Sequence, residues 1–208
     1  MDMTKEFWDK IAEKYAKDPI ADEESYQSKL KKTQEYFTPE MQVLEIGCGT
    51  GSTAIIHAPF VKHIRATDIS SEMLRIAKEK ADAKGINNIT FEGTSIDDLS
   101  VSDESVDMVM AHSILHLLED REAAIGQVFN MLKPGGLFVS STICMSDGMW
   151  FLRPVIPLMQ LFGKAPETVK FFTKRELLNS LSNAGFRIDC QWQSGKTKAV
   201  FIVAKKAE

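Results

Sequence analysis

The chain has 208 residues, 44% hydrophobic and 26% charged, with a formal net charge of -4 at pH 7. That size and balance suit a single domain, 1–208, with a core that needs no disulfide or metal staple, and an acidic net charge gives nucleic acid no general attraction. Cys48, Cys144 and Cys190 are odd in number and far apart, the start lacks a signal-peptide layout, and no apolar run approaches the ~18 residues of a membrane span; a cytoplasmic protein with reduced thiols is expected.

From residue 5, Phe7, Trp8, Ile11 and Tyr15 recur at helical spacing, with a break near Asp18-Pro19 before a second helical segment through Leu30. This leading cap, residues 1–38, either pads a sheet edge or folds over a cleft. Trp8, Tyr15 and Tyr26 are packing anchors or ligand contacts; Tyr15 and Tyr26 are kept as contact candidates. Next comes the stretch that states a chemistry. The apolar run Val43-Leu44-Glu45-Ile46 leads into Gly47-Cys48-Gly49-Thr50-Gly51, and Ser52-Thr53-Ala54-Ile55-Ile56 resumes a helix-compatible pattern. Strand, tight glycine loop and helix start together form a cradle for a nucleotide-like ligand.

Short apolar strands then alternate with amphipathic helices, as in parallel βαβ units. Strands are expected at 42–46, 63–67, 88–92, 105–111 and 137–144. Helices are expected over 71–84, stopped by Gly85, over 120–132 before a Lys133-Pro134-Gly135-Gly136 turn, and over 173–184, opened by the capping box Thr173-x-x-Glu176. The chain closes with alternating Phe186, Ile188, Cys190 and Trp192, a turn at Ser194-Gly195-Lys196, and the apolar run Val200-Phe201-Ile202-Val203. That is an antiparallel hairpin ending a parallel sheet. The Pro-broken apolar segment 145–172, with Trp150, Phe151, Leu158 and Phe162, falls at the carboxyl edge of the sheet. There it serves as a core-covering flap, a dimer contact or a substrate lid.

The loop nearly fits a dinucleotide fingerprint, but Gly51 comes one place early and Ser52 stands where Gly or Ala is expected. Asp68, 21 residues after Gly47, is placed for ribose hydroxyls in any adenosine ligand. Glu45 discriminates better, because a carboxylate in a buried strand needs a reason.

Glu45-Ile46-Gly47-Cys48-Gly49-Thr50-Gly51 resembles motif I of the Rossmann-like, class I S-adenosylmethionine-dependent methyltransferases. Ala66-Thr67-Asp68-Ile69-Ser70 with Met73-Leu74 resembles their second-strand motif, Ser105 to Met110 their fourth-strand motif, and Leu132 to Gly136 the turn before their fifth strand. The likeness covers roughly residues 40–204. It implies a doubly wound α/β fold, a mostly parallel seven-stranded sheet with the last strand inserted beside the fifth. It also implies that Glu45 binds the methionine amino group, that Gly47, Gly49 and Gly51 let the cofactor cross the loop, that Asp68 holds the ribose, and that Ile69 lies against adenine, with Met73 nearby. At the end of strand three the family often presents an acid to adenine, whereas this chain has Thr94 there; Thr94, Ser95 and the Ile96 N–H are the candidate adenine contacts.

The resemblance implies S-adenosyl-L-methionine as cofactor and S-adenosyl-L-homocysteine as product; the low basicity and the apolar stretch 145–162 favour a small, partly hydrophobic acceptor over nucleic acid, and a monomer or homodimer is expected. His112 and His116, at and just beyond the fourth strand, are candidate proton acceptors near neutral pH, or else packing residues. No metal is expected, since His57 and His63 bring no third ligand at matching spacing, and neither Cys48 nor Cys144 has a basic neighbour that would activate it. Two other readings compete: a cofactor-binding protein without turnover, and an NAD-dependent oxidoreductase, which Glu45 and the early Gly51 oppose.

Overall fold

A computed structural model describes residues 3–207. Its strands are β1 (Gln42–Ile46), β2 (His63–Asp68), β3 (Ile89–Gly93), β4 (Val106–His112), β5 (Leu132–Thr142), β6 (Phe186–Trp192) and β7 (Val200–Lys206). The helices are α1 (Met3–Lys17), α2 (Glu23–Gln34), α3 (Ser52–His57), α4 (Ser71–Ala83), α5 (Arg121–Met131), α6 (Met145–Gly148), α7 (Ile156–Leu161) and α8 (Lys174–Asn183). One seven-stranded sheet runs β3-β2-β1-β4-β5-β7-β6. The first five strands pair in parallel and β7 pairs antiparallel with both β5 and β6.

Alternate residues of the central strands feed two apolar layers, which is why those strands read as continuous apolar runs. Leu44, Ile46, Val109, Ala111 and Phe138 join Ile125, Val128, Leu177 and Leu181 of α5 and α8 on one face. Val43, Met108, Met110 and Val139 join Ala54 of α3 and Leu74 of α4 on the other. Helix starts are fixed by side chains that accept from otherwise unpaired backbone N–H groups: Ser70 from Met73, Asp120 from Ala123, and Thr173 in a complete capping box with Glu176.

Two boundaries differ from the sequence expectation. The segment Lys133-Pro134-Gly135-Gly136 is a bulge inside β5 rather than a turn before it. Leu132 already pairs with Val106, and the register then shifts before Leu137 meets Met108, while Lys133 Nζ donates to Asp107 at 2.7 Å. Likewise β7 runs on past Val203 to Lys206, whose ammonium donates to the Leu132 carbonyl at 2.8 Å and stacks over Phe129. A charged residue thus continues a buried strand because the Leu132 carbonyl and, at 3.5 Å, the Glu104 carboxylate satisfy its ammonium.

The strand order reverses between β1 and β4, which are neighbours although β2 and β3 lie between them in sequence. Ligands of open α/β sheets bind outside the carboxyl ends of the strands at such a switch point. Here those ends are the glycine loop after Ile46 and the turn after His112.

Candidate active site

All three loop glycines are left-handed, with φ of 64° at Gly47, 53° at Gly49 and 70° at Gly51, a region that side chains other than glycine enter at a cost. They differ in what surrounds them. A Cβ at Gly47 would meet Ile114 at 2.8 Å and one at Gly51 would meet Ala77 at 2.8 Å, whereas at Gly49 the nearest atom is Tyr15 at 3.8 Å. Gly47 and Gly51 therefore seat the loop on its neighbours, and Gly49, with only Tyr15 at ordinary contact distance, lines both cavities.

Asp68 clamps that loop. One carboxylate oxygen accepts from the Gly49 N–H at 2.8 Å and the other from the Ser70 N–H at 2.9 Å. Burial pushes its pKa up, opposed by these backbone donors. Glu45 sits deeper, 2% exposed, with Oε2 buried and without a hydrogen-bond partner. Burial first, and then the charge of Asp68, raise its pKa to about 8, against one backbone hydrogen bond from Ala54. The carboxyl is thus neutral at pH 7 and lacks a cationic partner, a costly arrangement that a ligand ammonium would relieve.

Two adjoining cavities open here. The first, about 310 Å³, is bounded by Trp8, Tyr15, Asp68, Ile69, Met73, Thr94, Ser95 and Ile96. The second, about 650 Å³, lies beneath α2 and is bounded by Tyr26, Lys29, Glu45, His57, His112, Ser141 and Ile143 among others. Both have the size of small-ligand sites. They meet at Tyr15, Gly47, Gly49, His112 and Ser113. The expected contacts are therefore divided between the two spaces, with Gly51 in the wall of neither. The Thr94 hydroxyl bonds to the Ser95 carbonyl, and the Ser95 hydroxyl is held by the Asp98 turn, so these hydroxyls are tied into their own loop.

The leading segment forms the roof. Asp9 of α1 accepts from the Ser70 hydroxyl at 2.6 Å, the Glu72 N–H at 3.1 Å and Lys5 at 2.7 Å. Despite partial desolvation, these donors hold its pKa down to about 2. That clamp lays α1 along α4 and places Trp8 and Tyr15, one heptad apart with ring centroids at 6.4 Å, over the first cavity. On α2, Tyr26, Lys29 and Thr33 fall at i, i+3 and i+7 and line the second, with Tyr26 Oη 3.3 Å from Thr53 Oγ1. Sequence reasoning missed Lys29, Thr33 and His57; the common face of Tyr26, Lys29 and Thr33 was the available signal for two of them.

His112 ends β4 with Nε2 buried and without a partner. Burial, with a contribution from the charge of Lys29, lowers its pKa to about 4. Ser113 follows at φ 57°, held by its N–H on the Ser141 carbonyl at 2.7 Å. A left-handed serine at the switch point is the kind of backbone strain that gathers at sites. His116, in a short 3-10 turn (Leu115–Leu117), lines neither cavity, and burial alone lowers its pKa to about 4; the structure separates the two candidate histidines. Cys48 lines the second cavity as a buried thiol whose pKa burial pushes up, and Cys144 is buried outside both. In the segment 145–172, Trp150, Phe151, Leu158, Leu161 and Phe162 are exposed and line neither cavity, while Thr168 reaches the first.

The reversed strand order and the glycine loop at the switch point define a Rossmann-like α/β class of protein. The comparisons specify it. A family model described as a methyltransferase domain matches residues 37–186. Over 100 residues the chain is 32% identical to the uncharacterized methyltransferase YcgJ of Bacillus subtilis, covering 48% of this chain and 40% of that one. The crystal structure of YcgJ aligns with a TM-score of 0.73 at 19% identity, over 88% of this chain and 99% of that one. The chain is 30% identical over 127 residues to the demethylmenaquinone methyltransferase of Leptospira interrogans, with 58% and 50% covered. It is 31% identical over 100 residues to the tRNA 5-carboxymethoxyuridine methyltransferase of Escherichia coli, with 47% and 38% covered. The matches span half or less of the length of these three curated relatives. The chain belongs to the methyltransferase domain family and has the class I methyltransferase fold.

Proposed function

We propose that the protein methylates a small acceptor held in the second cavity, using S-adenosylmethionine seated across the glycine loop. The observation that carries this reading is the unpartnered Oε2 of buried Glu45 in the wall of the second cavity, together with Gly49, which lines both cavities without a side chain. These residues fit the cofactor. Glu45 receives the methionine ammonium, and the backbone of Gly47 and Gly49 lets the ligand pass from one cavity to the other. Asp68, already oriented by the Gly49 and Ser70 N–H groups, offers its remaining lone pairs to ribose hydroxyls. Ile69 and Met73 provide apolar wall for adenine, with Trp8 and Tyr15 above.

When bound, the cofactor supplies a methyl group already activated on a sulfonium, so the chain's task is alignment, exclusion of water and proton handling. His112 is the residue for the last of these. Its Nε2 faces no protein partner, and its depressed pKa keeps it neutral at pH 7, able to accept a proton from a hydroxyl or thiol acceptor. The second cavity, about 650 Å³, has the size of a small-molecule site. The test is formation of S-adenosylhomocysteine from S-adenosylmethionine across a panel of small hydroxyl, thiol and amine acceptors. Acceptor-dependent product that falls about 10²- to 10⁴-fold in His112→Gln, with unchanged cofactor affinity, supports the assignment. Tight cofactor binding with no acceptor-dependent product would contradict it.

A further inference from the structure

Among the charges that line the second cavity, all but one have an evident partner or role. Lys198 pairs with Asp22 at 3.1 Å, and Asp22 also caps the start of α2. Lys80 donates to the Thr50 hydroxyl at 2.9 Å. Asp18 is exposed at the rim, and Glu45 is reserved for the cofactor on the reading above. Lys29 is different. Its ammonium is half-buried under α2, forms no salt bridge among the described residues, and lies 6.0 Å from the Trp192 ring. Burial lowers its pKa, and the attraction of Asp22, which is itself bridged to Lys198, opposes this only in part.

A second observation points to a ligand in the same space. His57 is fully buried, lines this cavity, and leaves both ring nitrogens without a hydrogen-bond partner. Together with His112 Nε2, three buried ring nitrogens of residues lining the cavity lack a protein partner, beside a lysine that forms no salt bridge among the described residues. Buried polar groups in folded proteins are satisfied by protein, water or ligand. We infer that the acceptor is a small anion, a carboxylate or phosphate compound, whose charged end pairs with Lys29 and whose nucleophilic end reaches His112. The inference rests on the proposed methyl transfer for the role of His112 and not for the pairing at Lys29.

One consequence supports the arrangement. The positive charge of Lys29 is among the causes that depress the His112 pKa. An anion on Lys29 offsets that charge and raises the basicity of His112 only when the acceptor is present, which suits a proton acceptor working near neutral pH.

The experiment uses neutral-anionic pairs of like shape: benzoate with benzamide, hexanoate with hexanamide, and phenyl phosphate with phenol. Binding is measured calorimetrically on the whole protein, with and without saturating S-adenosylhomocysteine. The expected result is saturable binding of at least one anion, at least about tenfold tighter than its neutral partner. That preference is lost in Lys29→Gln and kept in Lys29→Arg, and the carboxylate and phosphate arms tell which anion the site takes. Equal binding of both members of every pair, no binding by any of them, or an anion affinity unchanged in Lys29→Gln would overturn the inference. An unchanged melting temperature in Lys29→Gln shows that the variant is folded. Failure of the protein to bind S-adenosylhomocysteine would instead count against the proposed function, leaving the anion result to be read from the ligand-free arm.

Discussion

Glu45 pays for function in stability, and the sign of its pH dependence follows from its burial. Its pKa is about 8 in the folded protein against an ordinary value of 4.5, so the folded state binds the proton more tightly than the unfolded one. The stabilisation this gives is complete below pH 4.5 and is lost as pH rises through 8. Glu45→Gln removes that dependence: the variant should exceed the parent by up to about 3 kcal/mol at pH 7 in denaturant melts without ligand, while losing affinity for S-adenosylhomocysteine. Equal stability of the two at pH 7 would show that the carboxyl is not isolated. The glycines separate in the same way. Gly49→Ala should cost about 1 kcal/mol for its left-handed φ yet sharply weaken cofactor binding, whereas Gly51→Ala should lower the melting temperature further, because its Cβ would lie 2.8 Å from that of Ala77. Equal melting temperatures for the two would refute the division of roles. Glu45 and the glycine loop were legible in the sequence because a buried acid and a repeated demand for positive φ are local signals. Lys29 and His57 were not, since a lysine on an amphipathic helix ordinarily faces water, and only the way α2 folds over the sheet turns it inward.

At the scale of elements, α1 is held over the first cavity by Asp9, by the Glu13–Arg75 pair at 2.6 Å and by Ala12 packed with Met73 and Ile76 of α4. Asp9→Ala removes acceptors for the Ser70 hydroxyl and the Glu72 N–H and should cost about 1 kcal/mol. Because α1 carries Trp8 and Tyr15, the same change should weaken S-adenosylhomocysteine binding; stability lost with affinity intact would place the roof outside the site. The segment after β5 is the opposite case. Trp150 and Phe151 face solvent and line neither cavity, so their joint replacement by Ala should leave cofactor affinity unchanged, as calorimetry can verify. The order of strands and helices was readable because each element carries its own period and cap. The bulge in β5 and the tail of β7 were hidden, since Lys133 and Lys206 look like solvent residues until Asp107 and the Leu132 carbonyl are brought beside them.

At the scale of the whole molecule, two sets of buried groups limit stability from opposite sides of neutrality. His57, His112 and His116 are depressed to about 3, 4 and 4 by burial; their contribution is present above pH 6.5 and lost as pH falls toward 4. Glu45 acts in the reverse direction above pH 4.5. Cofactor binding couples to the second set. A ligand ammonium favours the ionised carboxylate, which the free protein holds protonated below about pH 8, so binding releases a proton and strengthens as pH rises. The most direct measurement is calorimetry of S-adenosylhomocysteine binding between pH 6 and 7.5, with NAD as the control ligand. The prediction is saturable binding of S-adenosylhomocysteine that tightens by up to about tenfold per pH unit, flattens in Glu45→Gln, and has no counterpart with NAD. Saturable heat with NAD and none with S-adenosylhomocysteine would contradict the assignment of this site.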